Sequence, residues 1–96
     1  LNDSLMDYVL LRKNKIFNGN PELIAASHYC SEDNIVSALK KAYPGKNNFS
    51  KISIEDLAKK RPWIARPQYS NGKRYPSIKH YAQEVSNRYE RLLASN

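Results

Sequence analysis

The proline-rich stretch of residues 62–76 constrains the fold more than any other part of this chain, because it interrupts an otherwise helical pattern. It holds three of the five prolines, each of which removes a backbone donor that a helix would use. Within it lies Asn71-Gly72, the dipeptide best suited to the positive φ angles of a two-residue type I′ turn. We therefore predict a short β-hairpin near residues 66–75, with an irregular loop as the alternative.

The turn also predicts how the two arms of the hairpin pair. It sets Ser70 opposite Lys73, Tyr69 opposite Arg74 and Gln68 opposite Tyr75. The flanking prolines limit each arm to about three or four residues. A hairpin of this size is marginal by itself, so it needs support from neighbouring helices.

Outside this stretch, apolar residues recur at helical spacing between capping residues and helix breakers. The pattern predicts five helices: one from Ser4 that ends before Asn18-Gly19, and four that begin after Asn20, Ser31, Ser53 and Ser77. The second is expected to stop near Cys30, the third at Pro44-Gly45 and the fourth near Lys60. The last is the most regular, with Ile78, Tyr81, Ala82, Val85, Tyr89, Leu92 and Leu93 on one side.

The start of the fourth helix has a competing interpretation. Residues 51–54 alternate like a very short strand, but Ser53 and Asp56 match a capping box, which favours the helix. Residues 46–50 are polar and are expected to form a loop. At 96 residues the chain is predicted to be mainly α: a single compact domain, residues 1–96, of about five short helices with the basic hairpin or loop before the C-terminal helix.

The charge of the chain is concentrated in its C-terminal half. The net charge is +7, and residues 51–96 hold ten basic but only four acidic side chains. Residues 59–79 alone carry seven Lys or Arg and no acidic residue, with Trp63, Tyr69 and Tyr75 among them. Clustered cations with interspersed aromatic rings are typical of a surface that binds a polyanion, above all nucleic acid.

Several classes of protein are disfavoured by composition. No apolar run approaches the roughly 18–20 residues that span a bilayer, and no signal-peptide pattern is present, so no membrane partner is expected. A single cysteine, Cys30, excludes an internal disulfide and fits a reducing, intracellular compartment. The first residue is Leu1 rather than Met, which leaves open that this is a domain of a larger protein.

Few reactive groups are available for catalysis. His28 and Cys30 lie two residues apart, but no second Cys or His pair completes a zinc site, and His80 belongs to another helix. The acidic pairs at helix starts are explained by the helix dipole. We therefore expect no catalytic residue, no metal and no cofactor.

A second DNA-binding element is suggested by residues 21–43, which can be aligned with a helix–turn–helix motif. Ala26 then falls where the helices cross and Cys30 in the turn. The solvent-facing candidates on the second helix are Asn34, Ser37, Lys40 and Lys41. Two acidic residues at the start of that helix would face phosphates, and helix pairs of this kind are also common in bundles, so both interpretations stay open.

The remaining candidate nucleic-acid contacts surround the predicted hairpin. They are Lys59, Lys60, Arg61, Arg66, Tyr69, Asn71, Lys73, Arg74, Tyr75 and Lys79. The first three also match the cations that compensate a helix dipole, and Trp63 is expected to pack in the core rather than on a base. Lys73 and Arg74 have no such structural explanation.

These observations predict a non-catalytic DNA-binding domain of a regulator, a replication or recombination protein, or a mobile-element protein. RNA and single-stranded DNA are further candidate ligands. Two alternatives use the same residues. One is a helical protein–protein module or inhibitor that docks its basic face on an acidic partner, and the other is an accessory domain of a larger nucleic-acid enzyme.

Overall fold

Five α-helices and a two-stranded antiparallel sheet make up the computed structural model, which describes residues 3–95. In chain order the elements are α1 (Asp3–Leu11), α2 (Pro21–Tyr29), α3 (Glu32–Ala42), α4 (Ile54–Lys60), β1 (Gln68–Ser70), β2 (Lys73–Tyr75) and α5 (Ile78–Ala94). A 3₁₀ turn, Pro62–Ala65, joins α4 to the sheet. The predicted mainly α fold, with a small hairpin before the C-terminal helix, is confirmed.

Serine caps begin three of the helices where the sequence predicts them. The hydroxyls of Ser31, Ser53 and Ser77 accept the backbone N–H of Asn34, Asp56 and His80 at 3.1, 3.0 and 3.0 Å. Each bond satisfies a donor that a helix start otherwise leaves unpaired. The strand alternative for residues 51–54 is therefore wrong, since α4 begins at Ile54.

The first helix differs from its prediction at both ends. It includes Asp3, so Ser4 lies inside it rather than before it, and it ends at Leu11 instead of continuing toward Asn18. Turns occupy the intervening residues, where the Asn14 side-chain oxygen accepts the backbone N–H of Ile16 at 2.8 Å. An asparagine that bonds its own backbone in this way competes with helix formation.

The helices pack around one cluster of buried apolar side chains, with α5 lying along α2. Its members on the helices include Leu23, Ile24, Ile35, Leu39, Ile54, Leu57, Ala82, Val85 and Tyr89, and the last three belong to the apolar side predicted for the final helix. Three further members, Phe17, Phe49 and Ile52, lie in connecting segments. Their burial means that these loops form part of the core, and the expectation of a merely polar loop at residues 46–50 is wrong at Phe49.

Asn20 is the most heavily bonded buried polar side chain in the described part of the chain. Its Oδ1 accepts the backbone N–H groups of Glu22 and Leu23, which caps α2. Its Nδ2 donates to the carbonyls of Phe49, Ser50 and Ile52 at 3.0, 3.1 and 2.7 Å. The adjacent Glu22 carboxylate accepts the N–H of Ile54 at 2.9 Å, so the start of α2 also holds the start of α4.

Replacing Asn20 is expected to destabilise the fold by more than the loss of a helix cap. We expect Asn20→Ala to lower the free energy of unfolding by about 2–4 kcal/mol, because the cap is lost and buried carbonyls lose their donor. Asn20→Ser, which keeps a capping oxygen but no amide, is expected to fall between Ala and wild type. Urea denaturation of the three proteins measures this order, and equal stability of the Asn20→Ala and Asn20→Ser variants would contradict it.

Tyr8 connects α1 to the C-terminal half of α5. Its ring is fully buried and lies edge-on to Tyr89, with 5.0 Å between ring centroids. Its hydroxyl donates to Glu90 Oε2 at 2.8 Å, and the other oxygen of that carboxylate lies 3.7 Å from Arg12. Burial, with a smaller contribution from Glu90, raises the pKa of Tyr8 far above its usual value of 10.0.

This raised pKa predicts how stability depends on alkaline pH. The folded protein keeps the Tyr8 proton at a pH at which the unfolded chain loses it. The contribution of Tyr8 to the free energy of unfolding is therefore fully present below pH 10.0 and declines above it, by up to about 1.4 kcal/mol per pH unit. Tyr8→Phe is expected to cost about 1–3 kcal/mol at pH 7. The difference in the free energy of unfolding between Tyr8→Phe and wild type, measured by urea denaturation, should narrow between pH 10 and 11.5. Tyr69→Phe, at an exposed ring, serves as the control and should show no such convergence.

Candidate nucleic-acid interface

The hairpin has the register that the sequence predicts. Gln68 pairs with Tyr75, Tyr69 with Arg74 and Ser70 with Lys73. Asn71 and Gly72 have φ angles of 54° and 78°, the two positive values that a type I′ turn requires. The alternative of an irregular loop at residues 66–75 is therefore wrong.

Strand alternation distributes the hairpin side chains between two faces. Lys73 and Tyr75 share one face, whereas Tyr69 and Arg74 share the other. Each face thus combines a cation with an aromatic ring. This is the pair of groups that contacts a phosphate and a base of one nucleotide.

The charged groups of the hairpin region are open to solvent. Arg66, Lys73 and Arg74 are exposed, and none forms an ion pair within 4.0 Å among residues 3–95. Tyr69 and Tyr75 are 69% and 42% exposed, unusually high for aromatic side chains. No side-chain hydrogen bond or ion pair within the described chain accounts for Lys73 and Arg74.

Two of the predicted contacts near the end of α4, Lys60 and Lys79, have structural partners. Lys59 and Lys60 lie in the last turn of α4, and the Lys60 ammonium lies 5.3 Å from the centroid of the Tyr43 ring. Arg61 is half-buried at the C-cap, and its Nε is buried without a hydrogen bond in the described structure. Lys79 forms an ion pair with Glu55 at 3.7 Å. The charges of Lys60 and Lys79 are therefore compensated in part within the fold.

The helix pair α2 and α3 is joined by Cys30 and Ser31. Asn34, Ser37, Lys40 and Lys41 are all exposed on α3, as the helix–turn–helix hypothesis requires. Glu32, at the start of α3, accepts a hydrogen bond from Asn14 at 2.6 Å. Whether α3 contacts DNA stays a prediction, since an exposed polar face is also the ordinary outer face of a helix.

The structure brings the hairpin next to the end of α2, a contact that sequence patterns did not predict. The Tyr29 hydroxyl donates to the backbone carbonyl of Pro76 at 2.8 Å. A cleft opens between the two elements, lined by Tyr29, Cys30, Gln68, Tyr69, Ser70, Tyr75 and Ile78. The hairpin and the α2–α3 turn thus form one continuous surface. The aromatic residue at the end of α2, Tyr29, is the signal that could have indicated an aromatic contact here.

The side chains considered for catalysis are engaged elsewhere. His28 Nδ1 lies 3.0 Å from the Tyr81 hydroxyl, and its Nε2 lies 4.0 Å from Asp7. Burial raises the pKa of the Cys30 thiol, whose sulfur donates to the Ala26 carbonyl at 3.3 Å. Within residues 3–95, no group of three or more His, Cys, Asp or Glu side chains could hold a metal ion.

No known family, curated protein or solved structure matches this chain significantly. The longest helix in the described range, α5, has 17 residues, and none of the helices there combines the length and apolar character needed to cross a bilayer.

The turn of the hairpin can be weakened without a steric clash. A Cβ added at Gly72 would meet no atom within 4 Å, so Gly72→Ala costs only backbone strain at positive φ, about 1–2 kcal/mol. We expect faster amide hydrogen exchange at Ser70 and Lys73 but only a small decrease in the midpoint of thermal unfolding, because local opening of the peripheral hairpin relieves the strain without unfolding the core. Asn71→Gly is the matched control, and the Ser70 and Lys73 amides in it should exchange at about the wild-type rate. A large drop in the unfolding midpoint for Gly72→Ala would contradict this account.

Proposed function

We propose that this chain is a non-catalytic DNA-binding domain whose hairpin contacts the phosphate backbone. The observation that carries the proposal is the pair Lys73 and Arg74, two exposed cations without an ion-pair partner in residues 3–95. A type I′ turn fixes the backbone that presents them. Exposed, unpaired cations on a short β-ribbon are suited to phosphate oxygens, which supply most of the affinity in DNA binding.

Flanking residues extend this surface in two directions. Arg66 and the two lysines at the end of α4 add cations on the side of the 3₁₀ turn. Arg61 and Lys79 make smaller contributions, because one is half-buried and the other is paired with Glu55. The net charge of +7 supports fast, salt-dependent association with any polyanion.

The exposed face of α3 is the second part of the proposed interface. Asn34 and Ser37 can donate to and accept from base edges, and Lys40 and Lys41 can contact phosphates. In this arrangement α3 would lie in the major groove while the hairpin follows the adjacent backbone. The proposal places the protein inside the cell, where DNA is found and where the unpaired Cys30 remains reduced.

The direct test is the salt dependence of DNA binding. Each phosphate neutralised on duplex DNA contributes about 0.9 to the log–log slope of affinity against salt, and about 0.7 on a single strand. Lys73→Ala combined with Arg74→Ala is therefore expected to reduce the slope on duplex DNA by about 1.8, with weaker binding at every salt concentration. Fluorescence anisotropy with a labelled duplex between about 50 and 200 mM salt covers the range in which this effect is large.

A charge-matched variant separates a local contact from the loss of net charge. Lys46 and Lys51 are exposed. They lie in the segment before α4 that bonds to Asn20, at the opposite end of α2 from the hairpin. The nine residues of α2 separate the two ends by about 13 Å. Lys46→Ala with Lys51→Ala should change the slope much less. Equal effects of the two double variants would contradict a specific hairpin contact, and no binding to any DNA at low salt would overturn the proposal in favour of a protein partner.

A further inference from the structure

The cleft between the hairpin and α2 is lined mainly by aromatic and small polar side chains. Tyr29 and Cys30 form one wall, and Gln68, Ser70 and Tyr75 of the hairpin form the other. Ile78 and Tyr69 complete the lining. No acidic residue lines the cleft among the described residues, although it opens beside the basic tip.

One ring of this cleft, that of Tyr29, is held in place by its neighbours before any ligand binds. Tyr29 stacks on Tyr81 with 4.0 Å between centroids and 11° between planes. Tyr81 is itself positioned by His28, which contacts its hydroxyl at 3.0 Å. Because Tyr81 does not line the cleft, it supports Tyr29 from outside and leaves the remaining surface of Tyr29 available inside.

Tyr75 completes the arrangement from the hairpin side. Tyr75 is 42% exposed and lines the same cleft as Tyr29. Lys73 lies on the same face of the hairpin, two residues and about 7 Å away along the strand. A nucleotide with its base in the cleft would therefore have its phosphate near a cation.

We infer that this cleft takes an unpaired base of single-stranded DNA, stacked against Tyr75 and Tyr29, while Lys73 contacts the adjacent phosphate. The inference rests on the proposed DNA-binding function and adds that single-stranded DNA, which engages the hairpin and cleft but not the major-groove contact of α3, is the preferred form. A base inside a duplex is stacked and paired on both sides, so it cannot enter the cleft without being extruded. An unpaired base can enter, and stacking on aromatic side chains is indifferent to its identity.

The test compares a labelled single strand of about 12 thymidines with a blunt duplex of the same length by fluorescence anisotropy. The single strand is expected to bind more tightly at equal salt. Tyr75→Leu is expected to weaken binding of the single strand by about 5- to 150-fold and to leave duplex binding within about twofold. Tyr75→Phe retains the ring and should bind the single strand like wild type.

A spectroscopic readout distinguishes stacking from general loss of affinity. A 2-aminopurine placed in the single strand should lose fluorescence on binding wild type and Tyr75→Phe, but not on binding Tyr75→Leu at saturating protein. Thermal unfolding of each variant checks that the fold is intact, which is expected since Tyr75 lies outside the buried core.

The outcomes separate this inference from the function on which it rests. If the Lys73 and Arg74 double variant weakens binding while Tyr75→Leu changes neither single-strand affinity nor 2-aminopurine fluorescence, the cleft assignment is overturned and the proposed function stands. Duplex binding that is as tight as single-strand binding overturns the cleft assignment in the same way. If neither form of DNA binds at low salt, the proposed function fails and the cleft assignment fails with it.

Discussion

The side-chain amide of Asn20 joins two parts of the chain that are about thirty residues apart in sequence, and the rest of the structure depends on that connection. One end of the amide caps α2, and the other end fixes the loop that leads to α4. A buried amide that satisfies several backbone groups cannot be replaced by an apolar group without leaving those groups unpaired. The loop is therefore held in one position relative to α2. The hydrogen bond from the Ile54 N–H to the Glu22 carboxylate fixes the start of α4 relative to α2 as well.

The position of the hairpin follows from the same framework. The 3₁₀ turn continues directly from α4 and carries Ile64 into the core, so the chain enters β1 from a fixed point. At the other end, β2 leads into α5, whose first residue Ile78 is buried. Tyr29 adds a hydrogen bond to Pro76 between these two anchors. A ribbon of three residues per strand is thus held at both ends by buried residues, which supplies the support that such a short hairpin lacks alone.

Sequence patterns predicted the features that depend on local interactions. Serine caps, the turn at Asn71-Gly72 and the hairpin register each depend on residues within a few positions of one another, so the sequence contains the whole cause. Phe17 and Phe49 were missed because their burial depends on how distant elements come together, and an isolated aromatic residue in a polar loop has no periodicity. The end of α1 was missed because a single asparagine side chain outweighs a weak helical pattern.

The candidate site shows the same division. The exposure of Lys73 and Arg74 follows from the turn and could be predicted, whereas the cleft beside Tyr29 depends on the packing of α2 against α5 and could not. The structural partners of Lys79 and Lys60 also come from distant residues, Glu55 and Tyr43. Burial of the Arg61 Nε likewise depends on how other elements pack around the end of α4, so it could not be predicted from the sequence.

The positive φ angles at Asn71 and Gly72 have a thermodynamic consequence for recognition. A flexible loop that carried the same two cations would lose roughly 1–2 kcal/mol of backbone conformational entropy for each residue ordered on binding. In the hairpin this ordering has already occurred during folding, so association with the proposed DNA ligand would restrict mainly the side chains of Lys73 and Arg74. The turn therefore preorganises the backbone that carries the two cations. Less of the favourable free energy of the few contacts would then be offset by lost entropy, and more of it would remain as affinity.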